Sequence, residues 1–135
     1  MKNYTELLKE NSLKSTFQRI NILNIIDEQG HSSIDDIYEE IIKLHPSISL
    51  ATIYKNILLM VEKSVVVEVP IAGKKSKYEL AKEDHIHLVC TECGLVEDKP
   101  CLTNSSELFK QLSLNDNFKL RRREVNLYGV CQECL

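Results

Sequence analysis

Two cysteine pairs, Cys90-x-x-Cys93 and Cys131-x-x-Cys134, constrain this chain more than any other feature. A two-residue gap lets both thiolates of one tight turn reach a single ion. Two such turns supply the four-sulfur tetrahedron that zinc prefers. Gly94, directly after the first pair, provides the conformational freedom that such a knuckle requires. A site closed by four sulfurs has no position for water or substrate, so the zinc it holds is structural. Two redox-active or free pairs are the alternative reading of the same spacing. The stretch from Gly94 to Val130 has room for a helix and several strands. The site therefore fastens the end of the chain to the start of a whole subdomain.

With 135 residues, one hydrophobic core suffices, and two compact halves sharing an interface are also possible. The chain opens on a polar amphipathic stretch from Met1 to Glu6, and no later run approaches a membrane span. This predicts a cytoplasmic protein, independent of membranes, in which thiols stay reduced and paired cysteines read as metal ligands. Cys101 is left over and reads as a small core residue. A formal net charge of −3 does not announce a nucleic-acid binder. Basic residues nevertheless group locally, as Lys74, Lys75 and Lys77 and again as Arg121, Arg122 and Arg123. Runs of this kind are usually solvated faces.

The first part of the chain has helical grammar. Tyr4, Leu7 and Leu8 mark a short first helix. Ser15 or Thr16 caps a second, with Phe17, Ile20, Leu23 and Ile26 as its apolar positions and Gly30 as its stop. Ser33 and Asp36 form a capping-box start for a third helix. Its stripe is Ile34, Ile37, Tyr38, Ile41 and Ile42, and Pro46 closes it. Ser49 caps a fourth, whose buried stripe is Leu50, Ile53, Ile57 and Val61. A β-branched strand over Val65 to Val69, a loop from Ala72 to Ser76 and a strand over Lys77 to Leu80 complete a winged helix-turn-helix. Beyond Lys82, short strands around the cysteine pairs alternate with one helix near Ser105 to Leu114. The whole reads as α+β, with a winged helix over residues 1–80 and a small α/β domain over 81–135.

On the fourth helix, Thr52, Lys55 and Asn56 face away from the apolar stripe. Thr52 and Asn56 can hydrogen-bond base edges, and Lys55 can meet phosphate or guanine. Tyr54 sits at the margin of the stripe, where its ring packs and its hydroxyl reaches out. Ser49 leaves a helix N-terminus pointing at a phosphate. A solvated helix face is the ordinary meaning of such residues. The basic hairpin tip with Lys74 and Lys75 follows directly, as a phosphate-gripping wing does, and favours the nucleic-acid reading.

His85-Ile86-His87 on a strand places both imidazoles on one face, and the same alternation sends Cys90 to the other. His31 precedes the third helix, and Glu79 and Asp98 fall on neighbouring predicted strands. Three nitrogens and two carboxylates form a mixed set that suits Fe(II), Mn(II) or five-coordinate Zn(II), unlike the soft sulfur site.

These segments together resemble the ferric uptake regulator family of metal-dependent repressors, over nearly the whole chain. Leu13 to Arg19 (LKSTFQR) is similar to the family's opening signature, and His31 to Tyr38 (HSSIDDIY) to its second. Ser49 to Asn56 (SLATIYKN) resembles its recognition helix. His85 to Gly94 (HIHLVCTECG) resembles its metal signature, and Tyr128 to Cys134 (YGVCQEC) its C-terminal one. The resemblance implies a winged helix binding palindromic double-stranded operator DNA as a homodimer, and a C-terminal α/β dimerisation domain. It places regulatory Fe(II) or Mn(II) on His31, Glu79, His85, His87 and Asp98, with Glu97 as an adjacent carboxylate. Structural zinc falls on Cys90, Cys93, Cys131 and Cys134. Tyr54 aligns with a base-contacting tyrosine, and Lys14 with a basic residue that reaches the minor groove.

Departures from the family pattern point to a branch. Iron regulators of the founding type often carry a third metal site, rich in histidine. Here the corresponding places hold Asp84 and Ile86, and Arg121 to Glu124 contain no histidine, so that site is absent. Asp98 at the last regulatory position matches the peroxide-stress regulators, whereas Glu79 stands where those usually have Asp. The branch implied is a non-enzymatic peroxide-sensing repressor, in which oxidation of His31 or His85 beside Fe(II) abolishes metal binding and releases DNA. Three other readings of the residues remain. One is an iron- or manganese-responsive repressor without peroxide sensing, and another is a passive zinc-binding module. The third is a zinc enzyme built on His85, His87 and Glu79 or Glu83, which lacks the deaminase arrangement.

Overall fold

Side-chain caps set where the helices begin. In the computed structural model, which describes residues 3–82, 85–100, 105–114, 117–120 and 123–135, Asn3, Thr16, Ser33 and Ser49 each accept a hydrogen bond from a first-turn backbone N–H. They open α1 (Tyr4–Glu10), α2 (Phe17–Gln29), α3 (Ile34–Ile41) and α4 (Leu50–Glu62). Ser33 and Asp36 close a complete capping box. Gly30 ends α2 with φ of +81°, a backbone conformation that side chains rarely adopt.

The chain divides into two compact units, Met1–Ala81 and Lys82–Leu135. In the first, α2 packs against α1, α3 and the second strand of a hairpin formed by β1 (Val66–Val69) and β2 (Lys77–Leu80). Val66 pairs with Leu80 and Val69 with Lys77, antiparallel. Tyr4 Oη ties α1 to α2 by donating to Asp27 Oδ2 at 2.7 Å. Burial, and then the Asp27 carboxylate, push its phenol up to about 12.

Two sequence expectations for this unit are corrected, those for α4 and α3. In α2 neighbours cover the helix on several sides, so burial spreads beyond the apolar positions named for it. Ile22, Leu23, Ile25 and Ile26 are buried, whereas Ile20 is half-buried and Phe17, in the first turn, is 69% exposed. In α4 the buried positions are Ile53, Ile57 and Met60. Leu50 lies exposed in the first turn, and Val61 is half-buried past the packed stretch. Helix α3 ends well before Pro46. Its last turn tightens into i to i−3 bonds, Lys43 N–H to Glu40 O and Leu44 N–H to Ile41 O.

The second unit is a sheet of order β4-β3-β5, where β3 is His85–Cys90, β4 is Val96–Pro100 and β5 is Val125–Gly129. Strand β4 runs antiparallel to β3 and β5 parallel to it, with α5 (Ser105–Leu114) lying between β4 and β5 in the chain. Arg123 sits 5.3 Å over the Phe109 ring and links the approach to β5 with α5. The chain closes in a single 3₁₀ turn, Gln132–Cys134. Cys101, Glu83, Asp84, Arg121 and Arg122 lie outside the described residues, so the core role expected of Cys101 is not among the findings. Among the described residues no helix is long and apolar enough to cross a membrane.

Ile37 is fully buried between the helices, whereas the capping box sits at the surface. Ile37→Ala is expected to destabilise the first unit by about 2–5 kcal/mol. Ser33→Ala should cost only about 1 kcal/mol. Urea unfolding of the zinc-loaded protein, followed by helix signal, measures both.

Candidate metal centres and nucleic-acid interface

The four-sulfur cluster is built on the last residue of β3. From there the chain turns through Cys93, and Gly94 N–H returns to Cys90 O at 2.9 Å with Gly94 at φ of +80°. Parallel pairing of β5 with β3 sets Gly129 beside Cys90, so the strand delivers Cys131 and Cys134 to the same place. The four sulfurs lie within 4.8 Å of one another, and Cys93 and Cys131 Sγ are 3.7 Å apart. A tetrahedron with zinc–sulfur bonds of about 2.3 Å has edges of about 3.8 Å, so the donor set fits zinc.

Electrostatics point the same way. The backbone N–H groups of Cys131 and Cys93 donate to Cys90 Sγ and draw its thiol down to about 6. Contacts with the Cys131 and Cys93 sulfurs push Cys134 up to about 12. One thiolate is welcome here; four require a cation among them.

Two nitrogen and oxygen sets lie elsewhere. In the first unit, the segment before α3 adds a strand-like bridge to β2: Ser32 N–H donates to Tyr78 O at 2.9 Å and Tyr78 N–H to Ser32 O at 2.7 Å. Flanked by β1 and by Ser32, β2 buries Tyr78, Glu79 and Leu80 in succession. The bridge sets His31 beside Glu79, with Nε2 2.8 Å from Oε2 and the carboxylate 1% exposed. In the second unit, alternation along β3 puts His85 and His87 on one face, with Nε2 atoms 2.8 Å apart. His87 is the register partner of Asp98, whose Oδ1 lies 3.4 Å from each ring. Glu97 pairs with Leu88, so it points to the opposite face and Asp98 is the carboxylate beside the histidines. Lys82 Nζ holds Asp98 Oδ2 at 2.5 Å. The expectation that Glu79 and Asp98 share neighbouring strands is corrected: β2 and β4 belong to separate sheets.

The candidate reading head is narrower than the helical wheel implies. Lys55 is exposed and Tyr54 is 43% exposed on α4. Asn56 and Thr52 are half-buried and already engaged. Arg19 Nε donates to Asn56 Oδ1 at 3.0 Å, and Asn56 Nδ2 donates to Thr52 O at 2.9 Å. Thr52 Oγ1 lies 2.9 Å from Ser49 Oγ, the cap that accepts from Thr52 N–H. A wheel reports direction but not tertiary partners, and it missed Arg19. That residue also donates through Nη1 to Lys14 O at 2.8 Å, tying α4 to the entry of α2. The Lys14 side chain itself is exposed. On the hairpin, Lys74 and Lys75 are exposed, and Lys75 pairs with Asp35 of α3. Such surface pairs are weak and exchange readily for another anion. His45, the fourth histidine, is a fastener for the turn before α4. Its Nε2 is 3.0 Å from Asn21 Nδ2, and its ring stacks edge-on to Phe17.

The fold and these sites define a winged-helix protein joined to a sulfur-clamped, metal-binding sheet. The profile of the ferric uptake regulator family matches residues 10–128, and the chain belongs to that family. The peroxide operon regulator of Bacillus subtilis (strain 168) is 32% identical over 137 residues, covering 99% of this chain and 92% of that protein. The crystal structure of the Campylobacter jejuni peroxide stress regulator is similar at 36% identity with a TM-score of 0.76, covering 98% and 100% of the two chains. The ferric uptake regulator from Pseudomonas aeruginosa with manganese is similar at 26% identity and a TM-score of 0.79, covering 98% and 99%.

Purified protein is expected to carry one zinc per chain. Cys93→Ser should lose it and unfold the second unit while α1 to α4 stay helical, because closed sulfur sites contribute folding energy directly. Metal analysis with circular dichroism checks this; a zinc-free protein with an intact second unit would contradict it.

Proposed function

We propose that this chain is a metal-dependent transcriptional repressor that binds palindromic operator DNA as a homodimer and responds to peroxide through a regulatory Fe(II) or Mn(II) site. Residues 1–80 bind DNA, and residues 81–135 hold the dimer, the zinc and part of the regulatory metal site. One observation carries the reading. The two faces of β3 lead to donor sets of different hardness: Cys90 on one face belongs to the four-sulfur cluster, and His85 and His87 on the other meet Asp98 of β4. A soft closed set suits a permanent structural ion, and a hard open set suits an exchangeable one.

His85, His87 and Asp98 form a two-histidine, one-carboxylate set that can hold Fe(II) or Mn(II) with positions left open, and His31 and Glu79 are donors of the kind that fill such positions. In this reading both sets bind one ion, which thereby ties the DNA-binding unit to the dimerisation unit. Binding shifts the balance between open and closed arrangements only by its differential affinity. About 5.5 kcal/mol takes a mostly open protein to mostly closed. Closure sets the separation of the two α4 helices in the dimer, and so the operator affinity. Support for dimerisation comes from the second unit's apolar exposure. Leu95, Leu127, Tyr128 and Val130 border an open groove of about 410 Å3, and among the described residues β5 is an edge strand.

On DNA, Tyr54 and Lys55 read the groove, Ser49, Lys14, Lys74 and Lys75 meet phosphate or the minor groove, and Thr52 and Asn56 hold the helix in register. When bound, Fe(II) supplies one-electron chemistry with peroxide that Mn(II) does not readily supply. The chain's part is to keep His31 and His85 within reach of that oxidation, and losing either ligand opens the site. The relatives named for peroxide regulation support this branch. Glu79, and the likeness to a manganese-containing ferric uptake regulator, favour a second reading as a plain iron- or manganese-responsive repressor.

An operator titration with and without metal, before and after peroxide, separates these readings. His31→Ala and His87→Ala are expected to abolish metal-activated binding while zinc stays in place. Peroxide should release the Fe(II) form from DNA much faster than the Mn(II) form, with added oxygen on His31 or His85 by mass spectrometry. An Fe(II) form that survives peroxide on its operator returns the plain metal-responsive reading. Cysteine oxidation with zinc release points instead to a thiol switch.

For the DNA face, Tyr54→Ala should lower operator preference over random DNA. Lys75→Ala should weaken binding to both and reduce the salt slope by about one. Equal loss of specific and non-specific binding in Tyr54→Ala would argue against base reading.

A further inference from the structure

The second nitrogen of the His87 ring has its own partner, on a strand that carries none of the proposed ligands to the regulatory ion. His87 Nδ1 lies 2.9 Å from Asn126 Oδ1. Topology creates this contact: β5 runs parallel to β3, and His87 and Asn126 are register partners. An amide oxygen can only accept, so Nδ1 carries the proton and Nε2 presents its lone pair. That nitrogen faces His85 Nε2 at 2.8 Å, and the contact then requires His85 to donate from its own Nε2. Protons run one way through the cluster, from His85 to His87 to Asn126. The His87 ring is 5% exposed, so bulk water does not compete for Nδ1.

We propose that Asn126 is the positioning residue of the regulatory site: it fixes His87 as the Nδ1–H tautomer and directs Nε2 to the ion. This rests on the reading of His87 as a ligand. Outer-nitrogen partners of histidine ligands set ring orientation, and a carboxylate there also raises the basicity of the ring. Asn126 supplies the orientation without the full negative charge. The site therefore binds its ion more weakly than a carboxylate at the same position would allow, which suits a site that must release metal to signal.

Full-length, zinc-loaded wild type is compared with Asn126→Leu and Asn126→Asp. Long-range 15N–1H correlation without added Mn(II) reads the His87 tautomer, and Mn(II) titration by electron paramagnetic resonance reads affinity. Wild type is expected to show Nδ1–H. Asn126→Leu should lose that preference and about 10–100-fold in Mn(II) affinity. Asn126→Asp should keep the tautomer and bind Mn(II) at least as tightly as wild type. A wild-type ring protonated at Nε2 overturns the proposal. So does an Asn126→Leu protein that keeps Nδ1–H and binds Mn(II) as wild type does. His87→Ala separates the two levels: if it leaves Mn(II) affinity unchanged, the ligand reading falls. If it loses affinity and Asn126→Leu does not, only the role of Asn126 falls. Should Asn126→Leu lose zinc or helix signal, Asn126→Ala removes the acceptor without adding bulk and is judged by the same outcomes.

Discussion

Thiolates repel one another, and the second unit converges on a point where four of them meet. Among its described residues this unit buries little more than His87, Val89, Cys90 and Val96. A sheet with so small an apolar interior does not repay the entropy of ordering its chain by burial alone. The sulfur cluster supplies the difference by binding a cation that only the folded arrangement can hold. Cys90 is its keystone, buried at the end of the central strand and receiving backbone N–H groups from both knuckles. Among the described residues the chain's last turn has no other anchor of comparable strength.

The same central strand keeps two chemistries apart. Strand parity gives His85 and His87 one face and Cys90 the other, so soft and hard donors never compete for one ion. His87 sits at the middle of the sheet and receives one partner from each flank, Asp98 from β4 and Asn126 from β5. Its ring position is therefore a property of sheet register rather than of any loop. A slip of one residue in either flanking strand would turn that partner to the wrong side.

What the residues disclosed on their own was local. Capping residues, the two cysteine spacings and the His-x-His alternation each state their geometry within a few positions, and each appears in the structure as spaced. Tertiary partners did not disclose themselves. The apolar positions of α2 did not say which would be buried, because three elements cover that helix. Asn56 reads as outward on a wheel, yet Arg19, thirty-seven residues away, claims its amide. Asn126 lies thirty-nine residues from His87, and no periodicity reports the register of a parallel pair.

The division of labour on α4 has a consequence for descent. Asn56 ties α4 to Arg19 of α2 and Thr52 bonds within α4 and its cap, while Lys55 and the outer edge of Tyr54 take no part in those hydrogen bonds. In the proposed DNA-binding role, substitutions at the outward positions alter which DNA is preferred without loosening the helix from α2. Substitution of Asn56 disturbs attachment first and, in that role, preference only through it. In the proposed role, target preference can thus change at Tyr54 and Lys55 of the SLATIYKN segment while the scaffold stays the same.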